Sequence, residues 1–232
     1  DSLIYRFQVV AWFMNERISP EFALPPCFSI QEMGAEPDFP FRLRLLQKNP
    51  LELTCYDSFD WRLHKAGLEL CVEQMQSTLS SVCCRVRGDR VEALPLSAMP
   101  HFSGDLPQGR WHDCVAKALG VRALIKRAEL SGERSEWAVK DEQGERMATL
   151  VQDTLALTLP GDSLISLTPR LRVLSVDKHR KEYGVMVDML CGRPDIKAVD
   201  RAYLSEALWQ TGQDAEMVAP DRQPIAPNMR AD

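Results

Sequence analysis

The chain has 232 residues, room for one sizeable domain and an appendage; 45% are apolar and 26% charged, which places it among globular chains rather than disordered or fibrous ones. A formal net charge of −5 argues against broad nucleic-acid binding, which needs a basic face, but leaves room for a local basic channel. The seven cysteines (Cys27, Cys55, Cys71, Cys83, Cys84, Cys114, Cys191) are odd in number and contain no C-x-x-C, so they read as reduced, mostly buried thiols of a cytoplasmic protein, ahead of a disulfide framework. Tetrahedral zinc is weaker still, because His112 and Cys114 have no second pair.

Residues 3–14 are apolar but interrupted by Arg6 and Gln8, and their pattern fits both the strand and the helix period. A membrane-spanning helix needs about 20 apolar residues, so this run predicts none. Residues 22–24 read as a strand stopped by Pro25-Pro26. Short apolar strands are predicted over 41–46, 51–56 and 68–73, and a hairpin over 82–87 and 90–93 with its turn at Gly88-Asp89. Trp111, Cys114, Val115, Ala118 and Leu119 recur at helical spacing, and Gly120 stands where a C-terminal glycine belongs. Strands follow over 121–130 and 136–140, separated by a Ser131-Gly132 turn, then over 146–159 and 171–176. Helices are predicted over 181–190 and 195–210, the latter with Ile196, Val199, Tyr203 and Leu208 on one stripe. From Ala219 onward the chain reads as a linker. Many antiparallel hairpins with few helices predict an α+β domain built on a sheet or barrel.

The common catalytic signatures are missing: there is no G-x-G-x-x-G, G-x-x-x-x-G-K, H-E-x-x-H or G-x-S-x-G, and the four histidines are scattered. What recurs is Arg-x-Arg, as Arg42/Arg44, Arg85/Arg87 and Arg170/Arg172, each on a predicted strand. Side chains two apart on a strand share a face, so each pair projects two guanidiniums together. Inside a barrel they would grip a polyanion bidentately; on the outside of a half-buried sheet they would face water, which is the ordinary antiparallel pattern.

The stretch Tyr56-Asp57-Ser58-Phe59-Asp60-Trp61-Arg62-Leu63 through Ala66-Gly67 to Leu70 resembles the Y-D-T-x-D-x-R-L-x-x-A-G-x-x-L segment of CYTH domains, the triphosphate tunnel fold. It is similar in particular to the degenerate CYTH-like domain found ahead of CHAD domains in bacterial proteins. Residues 20–26, 100–130, 135–157 and 168–190 resemble the first strand, middle helix, late hairpin and final strand with its helix, in the same order. The resemblance implies an eight-stranded antiparallel β-tunnel with flanking helices over residues 17–190, an N-terminal extension over 1–16, and a C-terminal helix and linker over 191–232, with any CHAD domain on a separate polypeptide or in a longer protein. CYTH enzymes act on triphosphates through a first-strand E-x-E-x-K, basic tunnel residues and late glutamates that hold magnesium or manganese.

The sequence departs from that pattern. Arg17, Ser19 and Glu21 stand where Glu, Glu and Lys belong, and Cys71 and Glu73 stand where two phosphate arginines belong. The late acidic strand keeps Asp153, and only Lys181 and Tyr183 remain of the last helix's usual segment. The expectation is a lumen with too few anionic oxygens for a divalent cation, hence no catalytic residue, no metal and no cofactor. Asp57 then reads as a turn cap or a partner of Arg62, Trp61 and Phe59 as core, and Gly67 as a backbone requirement. The expected function is a non-catalytic module that binds polyphosphate or another polyanion, or assembles with a CHAD-type partner. Its binding set would be Arg42, Arg44, Arg85, Arg87, Lys126, Arg127, Arg170, Arg172 and Lys181. No membrane and no specific nucleic acid are expected. The alternatives are a magnesium- or manganese-dependent triphosphatase using Glu21, Asp57, Glu69, Glu73 or Asp153, and a structural interaction domain with an apolar plug.

Overall fold

A computed structural model describes residues 21–75, 78–86, 89–109, 111–175, 180–199 and 201–213. The expectations for residues 3–14, for Arg17, Ser19 and Arg87, and for the tail from Ala219 lie outside these residues. The strands are β1 (Glu21–Ala23), β2 (Arg42–Asp57), β3 (Leu68–Met75), β4 (Thr78–Val86), β5 (Asp89–Leu94), β6 (Ile125–Lys140), β7 (Arg146–Thr158), β8 (Leu164–Ser166), β9 (Arg170–Ser175) and β10 (Lys197–Ala198). The helices are α1 (Ile30–Gly34), α2 (Arg62–Lys65), α3 (His112–Leu119), α4 (Arg180–Gly192) and α5 (Tyr203–Gln210). No helix among the described residues is long and apolar enough to cross a membrane.

Eight strands in the order β1-β9-β7-β6-β2-β3-β4-β5 pair antiparallel and form the expected curled, half-barrel sheet; β8 adds to β7 and β10 to β1 at its margins. Helix α5 reveals the curl. The Leu204 amide donates to Glu69 on β3, while Glu206, two residues on, accepts from Arg170 on β9. Those strands are separated in the sheet order by β2, β6 and β7, a span of about 19 Å if flat at ~4.8 Å per step. One helical turn reaches both because the sheet wraps around it. The concave core is thus Leu51, Leu53, Cys55, Leu130, Leu155 and Leu157 closed by Tyr203, Leu204, Ala207 and Leu208 of α5. On the convex side, α1 and α4 cover Val139, Ala148, Leu150, Leu171 and Val173, and α3 with Leu63 covers Leu68, Leu70 and Val72. The alternation along β9 follows: Leu171 and Val173 point to the helices, Arg170 and Arg172 into the concavity.

Three boundaries differ from expectation. Residues 41–46 and 51–56 are parts of one strand, β2, which runs through Pro50. Proline is tolerated because over 42–50 β2 pairs with β6, while its described pairing with β3 begins at Leu51 opposite Met75, so among the described residues this stretch has no partner on its other side. Likewise β6 runs unbroken through Ser131 and Gly132. Gly132 marks a close approach, not a turn: a Cβ there would sit 2.0 Å from the Thr154 carbonyl oxygen of β7. The helix expected over 195–210 begins only at Tyr203, because Lys197 and Ala198 pair with Ala23 and Phe22 and cover the outer edge of β1.

Candidate functional site

The turn between β2 and β3 is built around Asp57. Its fully buried carboxylate accepts from the amides of Ser58 (2.6 Å), Leu63 (2.9 Å) and His64 (2.9 Å), so it caps α2 as expected, while Arg62 pairs with Asp60 at 3.0 Å instead. Trp61 adopts φ 58° and is buried; Gly67 adopts φ 72°, which explains its glycine. Arg127 stacks 4.0 Å over the Trp61 ring and donates to the Ser58 carbonyl at 2.6 Å. The expectation that Phe59 packs in the core fails: it is 61% exposed, with Arg122 lying 5.0 Å over its ring, because the turn that buries Trp61 carries its neighbour outward.

The concave face carries a layer of buried charge. Arg134 on β6 donates to both oxygens of Asp153 (2.6 and 2.8 Å) and both of Glu73 (3.0 and 3.0 Å). Asp153 on β7 also accepts from Arg172 at 3.1 Å. Glu21 on β1 lies 3.8 Å from Arg172 and 3.6 Å from Arg170. Arg170 in turn meets Glu206 of α5 at 2.9 Å and lies 3.6 Å over the Tyr203 ring, and Glu206 takes the Thr168 amide at 2.6 Å. All these charged groups are nearly inaccessible, Arg170 and Asp153 at 2%. Burial alone would push the Asp153 carboxyl up, but the Arg172 and Arg134 charges outweigh it and hold it at about 2. The same carboxylates hold the Arg134 guanidinium above its ordinary value despite burial.

These positions revise the expected site. The concavity is not poor in carboxylates: Glu21, Glu69, Glu73, Asp153 and Glu206 all reach it, and guanidiniums or amides occupy them. At Glu21 and Glu73, where a basic side chain was expected, the acids meet arginines, Glu21 those of the paired strand β9 and Glu73 that of β6, one strand beyond its neighbour β2. Of the expected basic set, Arg170 and Arg172 belong to this layer, Arg127 clamps the turn, and exposed Lys126 pairs with Glu129 at 2.6 Å. Arg42 and Arg44 are exposed where β2 has β6 as its partner, in register with Lys140 and Ala138, beyond Thr149, to which Arg146 donates. The β4 residue Arg85 and the α4 residue Lys181 take their places in the backbone; their side chains lie outside the description, as does Arg87. Sequence reasoning missed Arg134 and Glu206. Arg134 falls beside the supposed turn at Gly132, and Glu206 sits on the polar side of an otherwise apolar stripe.

No family model matches the chain, and no curated protein matches it. Among solved structures it is similar to PH1819 from Pyrococcus horikoshii OT3, at 10% identity over 85% of this chain and 99% of that one, with a TM-score of 0.45. It is similar also to HpAC1 from Hippeastrum, a candidate adenylyl cyclase with a dominant triphosphatase activity, at 12% identity, 84% and 95% coverage and a TM-score of 0.47. A candidate adenylate cyclase from Bacillus halodurans aligns at 13% identity, 80% and 94% coverage and a TM-score of 0.46.

Proposed function

We propose that this chain is a non-catalytic CYTH-like module that acts by association, its lumen serving as scaffold. The observation that carries the reading is that each arginine of the concave layer ends on a carboxylate of the same layer. A polyanion entering there would have to displace Glu21, Glu73 and Asp153 from guanidiniums already neutralised, and α5 fills the adjoining concavity. A divalent cation fits no better. It needs several hard oxygens, and both oxygens of Asp153 and of Glu73 already accept from Arg134. The triphosphatase alternative would therefore require this layer to come apart first.

A second reading keeps a polyanion but moves it. Arg42 and Arg44 form no ion pair among the described residues, share a face by their spacing, and stand beside Lys140 at the open end of the sheet. A polyphosphate chain is the ligand class this rim suits, gripped at the surface without metal. Titration with polyphosphate at two salt concentrations, alongside tripolyphosphate with magnesium or manganese, tests both readings. Salt-sensitive, metal-independent binding without phosphate release supports the rim, and no binding leaves the assembly role. Phosphate release lost on Glu73→Gln would overturn the non-catalytic reading.

A further inference from the structure

Behind the charged layer, Cys55 on β2 and Cys71 on β3 stand directly opposite each other, with their sulfurs 3.2 Å apart. Both are fully buried in the concave core beneath Tyr203, Leu204 and Ala207. The Glu69 carboxylate lies on the same face of β3, and ligand atoms of all three residues fall within 4.8 Å of one another. Two chemistries suit such a group: a thiophilic metal ion or a sulfur–sulfur bond. The supply of ligands separates them. From 3.2 Å the sulfurs would close by about 1 Å to form a bond, or part by about 0.6 Å to sit on a tetrahedral ion at ~2.3 Å bonds, so spacing alone does not decide. The third candidate ligand, Glu69, already accepts from the Leu204 amide. An ion would also find three candidate protein ligands in this group, one of them engaged, where a closed tetrahedral site takes four. Directly opposite residues of antiparallel strands have Cα atoms about 4.5–5.5 Å apart, inside the range a disulfide spans.

We infer that Cys55 and Cys71 are a thiol modification site, closing to a reversible cross-strand disulfide when the protein meets a small oxidant such as hydrogen peroxide. One thiolate attacks a peroxide oxygen, breaking the O–O bond to give a sulfenic acid and hydroxide. The second thiolate then attacks that sulfur, forming the S–S bond and expelling a second hydroxide. The two hydroxides take the two thiol protons, so two thiols and one peroxide become one disulfide and two waters. Glu69 is the nearby base for these protons. Because α5 covers the pair, oxidation proceeds through opening of that helix.

The test treats the full reduced chain with graded peroxide, alkylates the remaining thiols, and maps linked peptides by mass spectrometry under non-reducing conditions. A Cys55–Cys71 peptide should accumulate, and Tm should rise by roughly 6–12 °C and fall back with dithiothreitol, as expected for a closed loop of this length in a domain of this size. Cys55→Ser and Cys71→Ser should abolish the rise; Cys27→Ser and Cys191→Ser, at exposed positions, should keep it. Cys83 is the register partner of Cys71 on β4, so a Cys71–Cys83 link would overturn the assignment. So would the absence of any link in the wild-type chain, a result that needs no variant to fold. Stoichiometric zinc retained by wild type and lost in both serine variants would establish the metal site instead.

Discussion

The Arg-x-Arg pairs of β9 and β2 have the same pattern and opposite fates. Arg170 and Arg172 are buried at 2% and 6% exposure, held by Glu21, Asp153 and Glu206; Arg42 and Arg44 stand exposed on a strand with one partner. Strand parity puts both residues of a pair on one face, but what crosses that face from other strands decides their work. In the curled sheet, acids from β1, β7 and α5 converge on the two β9 guanidiniums. At the end of β2, Arg42 and Arg44 have no carboxylate partner among the described residues. The first pair is structural electrostatics, and the second forms no ion pair among the described residues.

The sharpest way to break this contrast is Arg134→Met. It leaves Glu73 and Asp153 buried with a cation removed, and unfolding free energy should fall by about 3–5 kcal/mol in urea titration. A loss no larger than that of a surface substitution would mean the layer is hydrated and open to ligand. Arg170→Met should cost somewhat less, about 2–4 kcal/mol, because Glu206 keeps its bond from the Thr168 amide. Acid sharpens the same point. The Asp153 carboxyl is lowered from 3.8 to about 2 in the folded state, so its contribution is complete above the unfolded value and is lost as pH falls through about 2. That amounts to about 2 kcal/mol, visible as a lower urea midpoint at pH 2.5 than at pH 5, with Asp153→Asn flattening the difference. The smallest stability effect belongs to the rim. Arg42→Ala with Arg44→Ala should change unfolding free energy by no more than about 0.5 kcal/mol. Polyphosphate affinity at low salt should nonetheless drop about tenfold, near 1.4 kcal/mol. Unchanged affinity would remove the rim from the binding surface.

Much of the architecture was legible in the chain. Alternation gave β3, β7 and β9, the Asp57 to Gly67 segment gave its turn, and Gly120 marked the end of α3. The breaks were read too literally. Gly132 and Pro50 look like punctuation in one dimension, but one makes room for the Thr154 carbonyl and the other lies on a free strand side. The charged layer was legible only in its parts. Glu21 stands out as a reversal of sign and Glu73 as a lost arginine, yet nothing local says that Arg134, over sixty residues from Glu73, arrives between Glu73 and Asp153. Pairings across a curled sheet are long-range, and a pattern reader sees one strand at a time.

The lone stretch of β2 has a further consequence. Among the described residues its second side has no partner, and such a side offers its backbone as a template for another chain, the route by which sheets join edge to edge into aggregates. Here that stretch presents Pro50, which has no amide hydrogen to donate, and exposed Arg42 and Arg44, while Lys48 is paired with Glu133 at 2.7 Å. A second molecule approaching in register would bring its own cations against these. Proline and like charge at this stretch thus both weigh against edge-to-edge joining of copies, whether or not a ligand ever rests there.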